Sequence, residues 1–217
     1  MALLGTAALA MWWDIAPEWR EEFEHWHTHE HFPERLGIPG FLRASRFAQA
    51  DGGEGFFILY ELASHDVLGS PAYAARLNAP TPWSKKLMPH HRNMVRTQCR
   101  VLGSAGGIAA RHVLTFRLAQ AQDDVLAALS GQLRGLAQKP GLAGVHVLKH
   151  QPPALAPTTE QKIRGLADGA AAAAVVIAGH DRDALQTAET VLLNALPAGV
   201  QRGAYSLSLS MAAGDPA

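Results

Sequence analysis

Four histidines and two glutamates fall between residues 25 and 34, in the run His25-Trp26-His27-Thr28-His29-Glu30-His31-Phe32-Pro33-Glu34. Imidazoles and carboxylates at this density can move protons or hold a metal ion. Placed on a helix at about 100° per residue, Trp19, Phe23 and Trp26 form one apolar stripe. Glu30 falls in the middle of that stripe, with His27 and Glu34 on one flank. A carboxylate on the core-facing side of a helix must be paired, protonated or lining a cavity. Glu30, His27 and His31 are therefore the candidate catalytic residues, with proton transfer as the candidate chemistry. His25 and His29 project elsewhere, as does His31 more partially, and a solvated polar helix face explains such positions. The pairs His27/His31 and His25/His29 have the i, i+4 spacing that a metal can use. The zinc-protease pattern, however, needs two residues between its Glu and second His, whereas Glu30 touches His31 directly. With no clear third ligand, no metal and no cofactor is expected. Haem held by a histidine is a separate alternative that a visible spectrum would reveal.

Other groups carry weaker signals. Arg43 and Arg46, three apart on a predicted strand, face opposite sides of a sheet. Arg96 and Arg100 share a strand face with Met94 and Gln98, which reads as a solvated face or as a polar ligand contact. Tyr60 and Tyr73 offer phenol groups to a ligand or to the surface. One of His90 and His91 stands where it could close a cavity mouth. Cys99 in a strand reads as a small buried hydrophobe. No glycine-rich phosphate loop follows a strand, and no Gly-x-Ser-x-Gly elbow is present.

The elements that must position these groups follow from pattern. Residues 6–15 read as a strand and residues 17–36 as a helix, with Pro17 suited to its first turn and Glu18, Glu21 and Glu22 to the positive end of its dipole. Residues 41–48 and 55–62 form a hairpin about the turn Asp51-Gly52-Gly53. Helical stretches at 65–77 and 83–91 precede a last strand at 92–102. The order strand–helix–strand–strand–helix–strand matches a ferredoxin-like βαββαβ unit. The second half repeats it, with strands at 109–119, 142–150, 171–178 and 202–211 and helices at 123–138 and 181–196. Residues 152–157 read as a surface loop inserted between two of those strands. The fold expected is α+β: two ferredoxin-like units in one chain, with their antiparallel sheets packed face to face as an α+β barrel. The units are residues 1–105 and 106–217, divided at the flexible-looking Gly103-Ser104-Ala105-Gly106-Gly107. A sheet with both helices on one face leaves an apolar face in water, at roughly 25 cal/mol per Å². Two such sheets cover each other.

Composition narrows the function. The 217 residues carry 19 basic and 19 acidic side chains, balanced in both halves, so the footprint of a nucleic-acid binder is missing. A single cysteine excludes an intrachain disulfide framework. The apolar opening run lacks a basic n-region and is too short to span a bilayer, so a cytoplasmic protein without membrane contact is expected. All five tryptophans and thirteen of fifteen aromatic residues precede residue 106. Any aromatic pocket must therefore belong to the first half.

The helix ending in Glu30-His31, then Pro33, then Ile38-Pro39-Gly40-Phe41 leading into a strand with Arg43 and Arg46, resembles the EthD-like proteins of the dimeric α+β barrel superfamily. Trp26 matches as well, and the resemblance covers mainly residues 8–62. That superfamily also holds antibiotic-biosynthesis monooxygenases, muconolactone isomerases, polyketide cyclases and chlorite dismutase-like haem proteins. The resemblance implies a small-molecule cavity between sheet and helices, usually cofactor-free, often for aromatic or polyketide-like compounds. The second half lacks the Glu-His and Pro-Gly-Phe signature, and its first helix has no histidine or aromatic. It is expected to be a structural partner that has lost a site, as in a degenerate tandem duplication.

Two functions fit. One is a cofactor-independent isomerase, cyclase, lyase or monooxygenase. Its substrate would lie between Trp12, Trp26, Phe41, Phe57 and Trp83, near the Tyr60 phenol. Glu30, His31 or His27 would move the proton, and Arg43 or Arg46 would hold an enolate or carboxylate. The other is a non-catalytic protein that binds a small apolar or aromatic molecule or docks a partner. The two diverge on whether Glu30 and His27 reach a cavity or enter a buried ion pair with Arg35 or Arg43. A homodimer is left open.

Overall fold

Strands buried on both faces read in the sequence as nearly continuous apolar runs, and three of them organise this molecule. A computed structural model describes residues 2–215. In it β1 (Ala7–Asp14), β3 (Gly55–Leu62) and β7 (Ala173–Gly179) are buried along almost their whole length. The other strands are β2 (Phe41–Gln49), β4 (Arg92–Gly106), β5 (His112–Leu118), β6 (Leu142–His150) and β8 (Gln201–Ala212). All neighbouring strands pair antiparallel, in the closed order β1-β3-β2-β8-β5-β7-β6-β4. Each βαββαβ unit contributes four consecutive strands of that ring. The two sheets are joined edge to edge by β2–β8 and β4–β6, so no edge is left to template pairing with another chain.

Side-chain alternation then makes three layers. Along β1, Ala8, Ala10 and Trp12 point into the barrel while Leu9, Met11 and Trp13 point out under the helices. The barrel interior is solid: Trp12 and Phe47 both stack on Phe57, at 5.0 and 5.5 Å between centroids. The Trp12 Nε1–H donates across the barrel to Thr115 Oγ1 at 3.1 Å. The outer layer of the first unit is α1 (Pro17–Trp26), a π-helical turn (His27–His31), α2 (Phe32–Leu36), α3 (Pro71–Asn78) and α4 (Pro82–Leu87). That of the second is α5 (Asp123–Ala137) and α7 (Arg182–Ala195).

One expectation needs correction and another extension. The stretch 103–107 is largely strand: β4 pairs with β1 over its first part and, after a bulge between Val101 and Gly103, with β6 as far as Gly106. Its glycines serve close approach, since a Cβ on Gly103 would stand 2.6 Å from Leu133 Cδ1 and one on Gly106, at φ +70°, 2.0 Å from Ala143 O. The insertion at 152–157 is mostly exposed, but it leads into a further helix, α6 (Thr159–Ile163), that leaves its own unit. Thr159 donates from its backbone N and its hydroxyl to Asn78 Oδ1 of α3, at 3.0 and 3.3 Å, and Glu160 pairs with Arg35 of α2. No helix of the described residues is long and apolar enough to cross a membrane.

Candidate functional site

The chemistry of this site begins with a defect in a helix. Pro33 has no N–H to give the His29 carbonyl, and its ring needs that carbonyl displaced. The helix answers by widening: the Phe32 N–H donates to His27 O, five residues back, across the π-helical turn. Thr28 Oγ1 donates to Glu24 O at 2.7 Å, and Arg46 reaches from β2 to donate to the same carbonyl at 3.0 Å and to Thr28 Oγ1 at 3.2 Å. An extra residue in the turn shifts the phase of everything after it. His27 and His31 swing toward the sheet, and Glu30 is carried to the flank.

Both imidazoles are buried and stack at 5.3 Å. With Trp13, Trp26, Tyr60, Arg35 and His91 they line a cavity of about 30 Å³ between the sheet and the helices, closed from above by Glu160 and Arg164. That volume suits a water-sized group or two. Among the described residues, six buried polar atoms on this wall have no hydrogen-bond partner: Trp13 Nε1, both ring nitrogens of His27, His31 Nδ1, Arg35 Nη1 and Tyr60 OH. Native interiors leave few such groups, and each costs on the order of 1–3 kcal/mol. Their gathering around one small space makes it the candidate site.

Electrostatics set the protonation states. Burial, reinforced by the Arg46, His91 and Arg35 charges, holds His27 well below the usual imidazole range. Burial and then Arg35 do the same to His31. Burial brings His91 down to about 3, with the Arg164 charge adding to it. All three are neutral at pH 7. His91 Nδ1 faces Leu87 O and Met88 O, both at 3.2 Å, so it carries the proton and Nε2 is left as an acceptor. Burial pushes the Tyr60 phenol upward, so it stays protonated. Burial works against the Arg35 cation, but Glu160 more than restores it and the guanidinium stays charged. The wall therefore offers neutral bases, neutral donors and the Arg35 cation, with Arg96, Arg164 and the Glu160 carboxylate also in the lining.

The residues singled out in the sequence separate into three groups. His27, His31, Trp26 and Tyr60 meet at the cavity, joined by Tyr73, His91, Met94 and Arg96. Glu30, Arg46 and Trp83 support it from behind. Glu30 Oε1 accepts from Trp26 Nε1 at 2.9 Å and from Thr81 Oγ1 at 2.5 Å, so it holds the indole in place and enters no ion pair. Trp83 donates to Glu22 at 3.2 Å on the outer surface. Trp12, Phe57 and Arg43 belong elsewhere: the first two fill the barrel interior, across the sheet from the cavity. Arg43 forks onto the fully buried Glu61, at 2.5 and 3.0 Å. Phe41 packs in the helix-covered core against Tyr60 and Tyr73 without reaching the cavity. The five-aromatic pocket of the sequence reading is thus split by strand alternation, because adjacent residues such as Trp12 and Trp13 face opposite layers.

Arg35, Trp13 and Glu160 escaped that reading. Arg35 lies four residues beyond His31, a helical spacing that places it on the same wall. Glu160 had a signal too. Thr158 and Gln161 form a capping box, with Gln161 Oε1 accepting from Thr158 N at 3.0 Å, which announces a helix inside the supposed loop. Among the described residues no group of three or more His, Cys, Asp or Glu is arranged to hold a metal ion.

No family model matches this sequence, and no curated protein does. Solved structures do match along nearly the whole chain. An anthrone oxidase-like protein superposes with a TM-score of 0.66 at 13% identity, covering 99% of this chain and 97% of that one. A monooxygenase candidate from Fusobacterium nucleatum subsp. nucleatum gives 0.61 at 9% identity, over 96% and 95% of the two chains. Another from Lactobacillus acidophilus gives 0.59 at 9%, over 97% of each. At such identities the likeness shows the fold alone: an α+β barrel of two ferredoxin-like units within a single chain.

Proposed function

We propose that this chain is a cofactor-independent enzyme that removes a proton from an acidic carbon or phenol of a small aromatic ketone. The observation that carries the reading is the gathering of six buried polar atoms without hydrogen-bond partners, neutral bases and donors beside the Arg35 cation, around one small cavity. His27 is the base, because neither ring nitrogen is engaged. When the imidazole takes a proton from carbon, the electron pair moves to the carbonyl oxygen, and that oxyanion accepts from Arg35 Nη1 and Trp13 Nε1. Burial makes His27 a weak base alone. The imidazolium and the oxyanion form together, and each offsets the burial of the other. Tyr60, still protonated, donates to the same oxygen. His31 relays the proton, so that returning it to a different atom isomerises or cyclises the substrate, while capture of the carbanion by dioxygen makes the reaction an oxygenation. The names of the fold neighbours favour that last branch. In this reading residues 1–105 supply the proton-transfer groups, and residues 106–217, the degenerate half of a tandem duplication related to EthD-like proteins, add only Glu160 and Arg164 to the lining.

The test is deuterium exchange at the acidic carbon of anthrone in D₂O, followed by NMR without dioxygen and by an oxygen electrode with it. Exchange should exceed the buffer rate and fall by about 10²-fold or more in His27→Phe. Wild-type exchange no faster than buffer would remove the catalytic reading. The closed, small cavity would then favour the binding-protein alternative.

A further inference from the structure

The cap over the cavity comes from the wrong half of the molecule. At the equivalent hairpin of the first unit, β2 and β3 are joined by residues 50–54. In the second unit, β6 and β7 are joined by residues 151–172, long enough to reach over the neighbouring unit and lay α6 on it. Polar contacts tie its ends and α6 to the first unit: Gln151 O accepts from His65 Nε2 at 2.6 Å, Gln151 Oε1 from Arg100 at 2.7 Å and Asn78 from Thr159, while Gln151 N donates to Gln98 O at 2.8 Å and Ala171 N to Thr97 Oγ1 at 3.1 Å. At its far end Gly169 exchanges backbone hydrogen bonds with Met94 and Arg96, both 2.8 Å. Between these anchors the charge that reaches into the first unit is Glu160, whose carboxylate bonds Arg35, with side chains only 6% and 3% exposed. The other cations on the wall are engaged differently: Arg164 forks onto Asp168 at 3.1 and 2.6 Å, and Arg96 donates to Tyr73 OH at 2.9 Å.

We propose that Glu160 is a built-in stand-in for the anionic group of the ligand, and that the site takes a planar aromatic carrying a carboxylate, phenolate or enolate. The inference rests on the cavity being the ligand site. A ligand anion reaching Arg35 displaces Glu160, and the cap lifts. The exchange is close to balanced. A buried ion pair gains little over its desolvation, so returning Glu160 to water regains most of what closing it on Arg35 gave, and Arg35 keeps a partner throughout. The space follows as well. A cavity of about 30 Å³ admits nothing as large as an arene while α6 is seated. Moving Glu160 and Arg164 aside opens the wall that holds Arg35, His31 and Tyr73. The closed state is thus self-inhibited by a carboxylate of the same charge as the ligand, and a neutral arene enters only when the cap opens on its own.

The probe is 9-anthroate, a fluorescent planar carboxylate, compared with the neutral 9-anthracenemethanol. Glu160→Gln removes the competing charge and keeps the side-chain shape, so anthroate should bind about tenfold tighter or more than to the wild type, while affinity for the alcohol moves less than twofold. Unchanged or weaker anthroate binding overturns the proposal. Should that variant fold poorly, hydrogen exchange on the wild type decides: saturating anthroate should speed exchange across residues 151–168, and unaltered protection there overturns the idea. Anthroate displacing the cap while anthrone exchange stays at the buffer rate would sink the proton-transfer reading and leave this one standing.

Discussion

The helix layers of the two units are built on the same strand order yet have opposite interiors. Over the second sheet, Leu126, Leu129, Leu133 and Leu136 of α5 and Leu185 and Leu192 of α7 pack on Val145, Val147, Val175 and Ile177. Among the described residues, no unpartnered buried side-chain polar atom belongs to that layer. Over the first sheet the same space holds two indoles, three imidazoles, two phenols and three guanidinium groups. Topology is therefore neutral toward function. The difference comes from two local departures, the π turn that rotates His27 and His31 inward and the insertion that brings Glu160 across. Remove either and the first layer should drift toward the second in behaviour.

The largest effect is expected from the ion pair that has no counterpart in the second unit. Arg35→Met leaves Glu160 buried without a partner and should lower stability in urea unfolding by about 3–5 kcal/mol. A loss under 1 kcal/mol would mean that the cap is not held by this pair.

Acid should also distinguish the layers. The folded pKa values of His27, His31 and His91 all lie below the ordinary value near 6.5. The unfolded chain thus binds more protons as pH falls, and stability present above pH 6.5 is lost progressively below it, continuing to about 3 for His91. Between pH 6.5 and 5 each imidazole can remove up to about 2 kcal/mol. His27→Phe should flatten the pH slope of urea unfolding by one such share. Leu133→Ala, in the layer built almost wholly of aliphatic side chains, should lower stability by about 2–5 kcal/mol at every pH and leave the slope alone. Equal slopes in His27→Phe and the wild type would refute the burial of a neutral His27.

Much of this contrast was legible in the sequence. The strand order of both units follows from hydrophobic pattern and turn residues, and the uneven placement of aromatics assigns the site to the first half. Strand alternation, read one residue at a time, also explains why Trp12 and Trp13 part company. Two things were out of reach. A helical wheel assumes uniform pitch, so it turned Glu30 inward and His31 outward, whereas Pro33 and Thr28 change the pitch between them. Glu160 lies 125 positions from Arg35, and no periodicity links a loop of one unit to a helix of the other. Only closure of the barrel through β4–β6 brings that loop over the first unit.

The smallest effect probes the pitch itself. Thr28 joins the two supports of the π turn: its hydroxyl donates to Glu24 O and accepts from Arg46. Thr28→Val keeps the shape and removes both bonds, leaving the 5%-exposed Arg46 with Glu24 O and Ser208 Oγ as acceptors. The expected loss is about 1 kcal/mol, the worth of a hydrogen bond with one partner still satisfied. If the turn is held by these bonds, the ring-proton shifts of His27 and His31 in NMR should move, because both sit against indole and phenyl faces, His31 at 4.5 Å from Trp26 and His27 at 4.2 Å from Phe32. If Pro33 alone enforces the wider turn, the shifts stay put although stability falls. Pro33→Ala should then move them, since a donor restored at position 33 lets the His29 carbonyl rejoin the α-helical ladder and returns Glu30 toward the sheet.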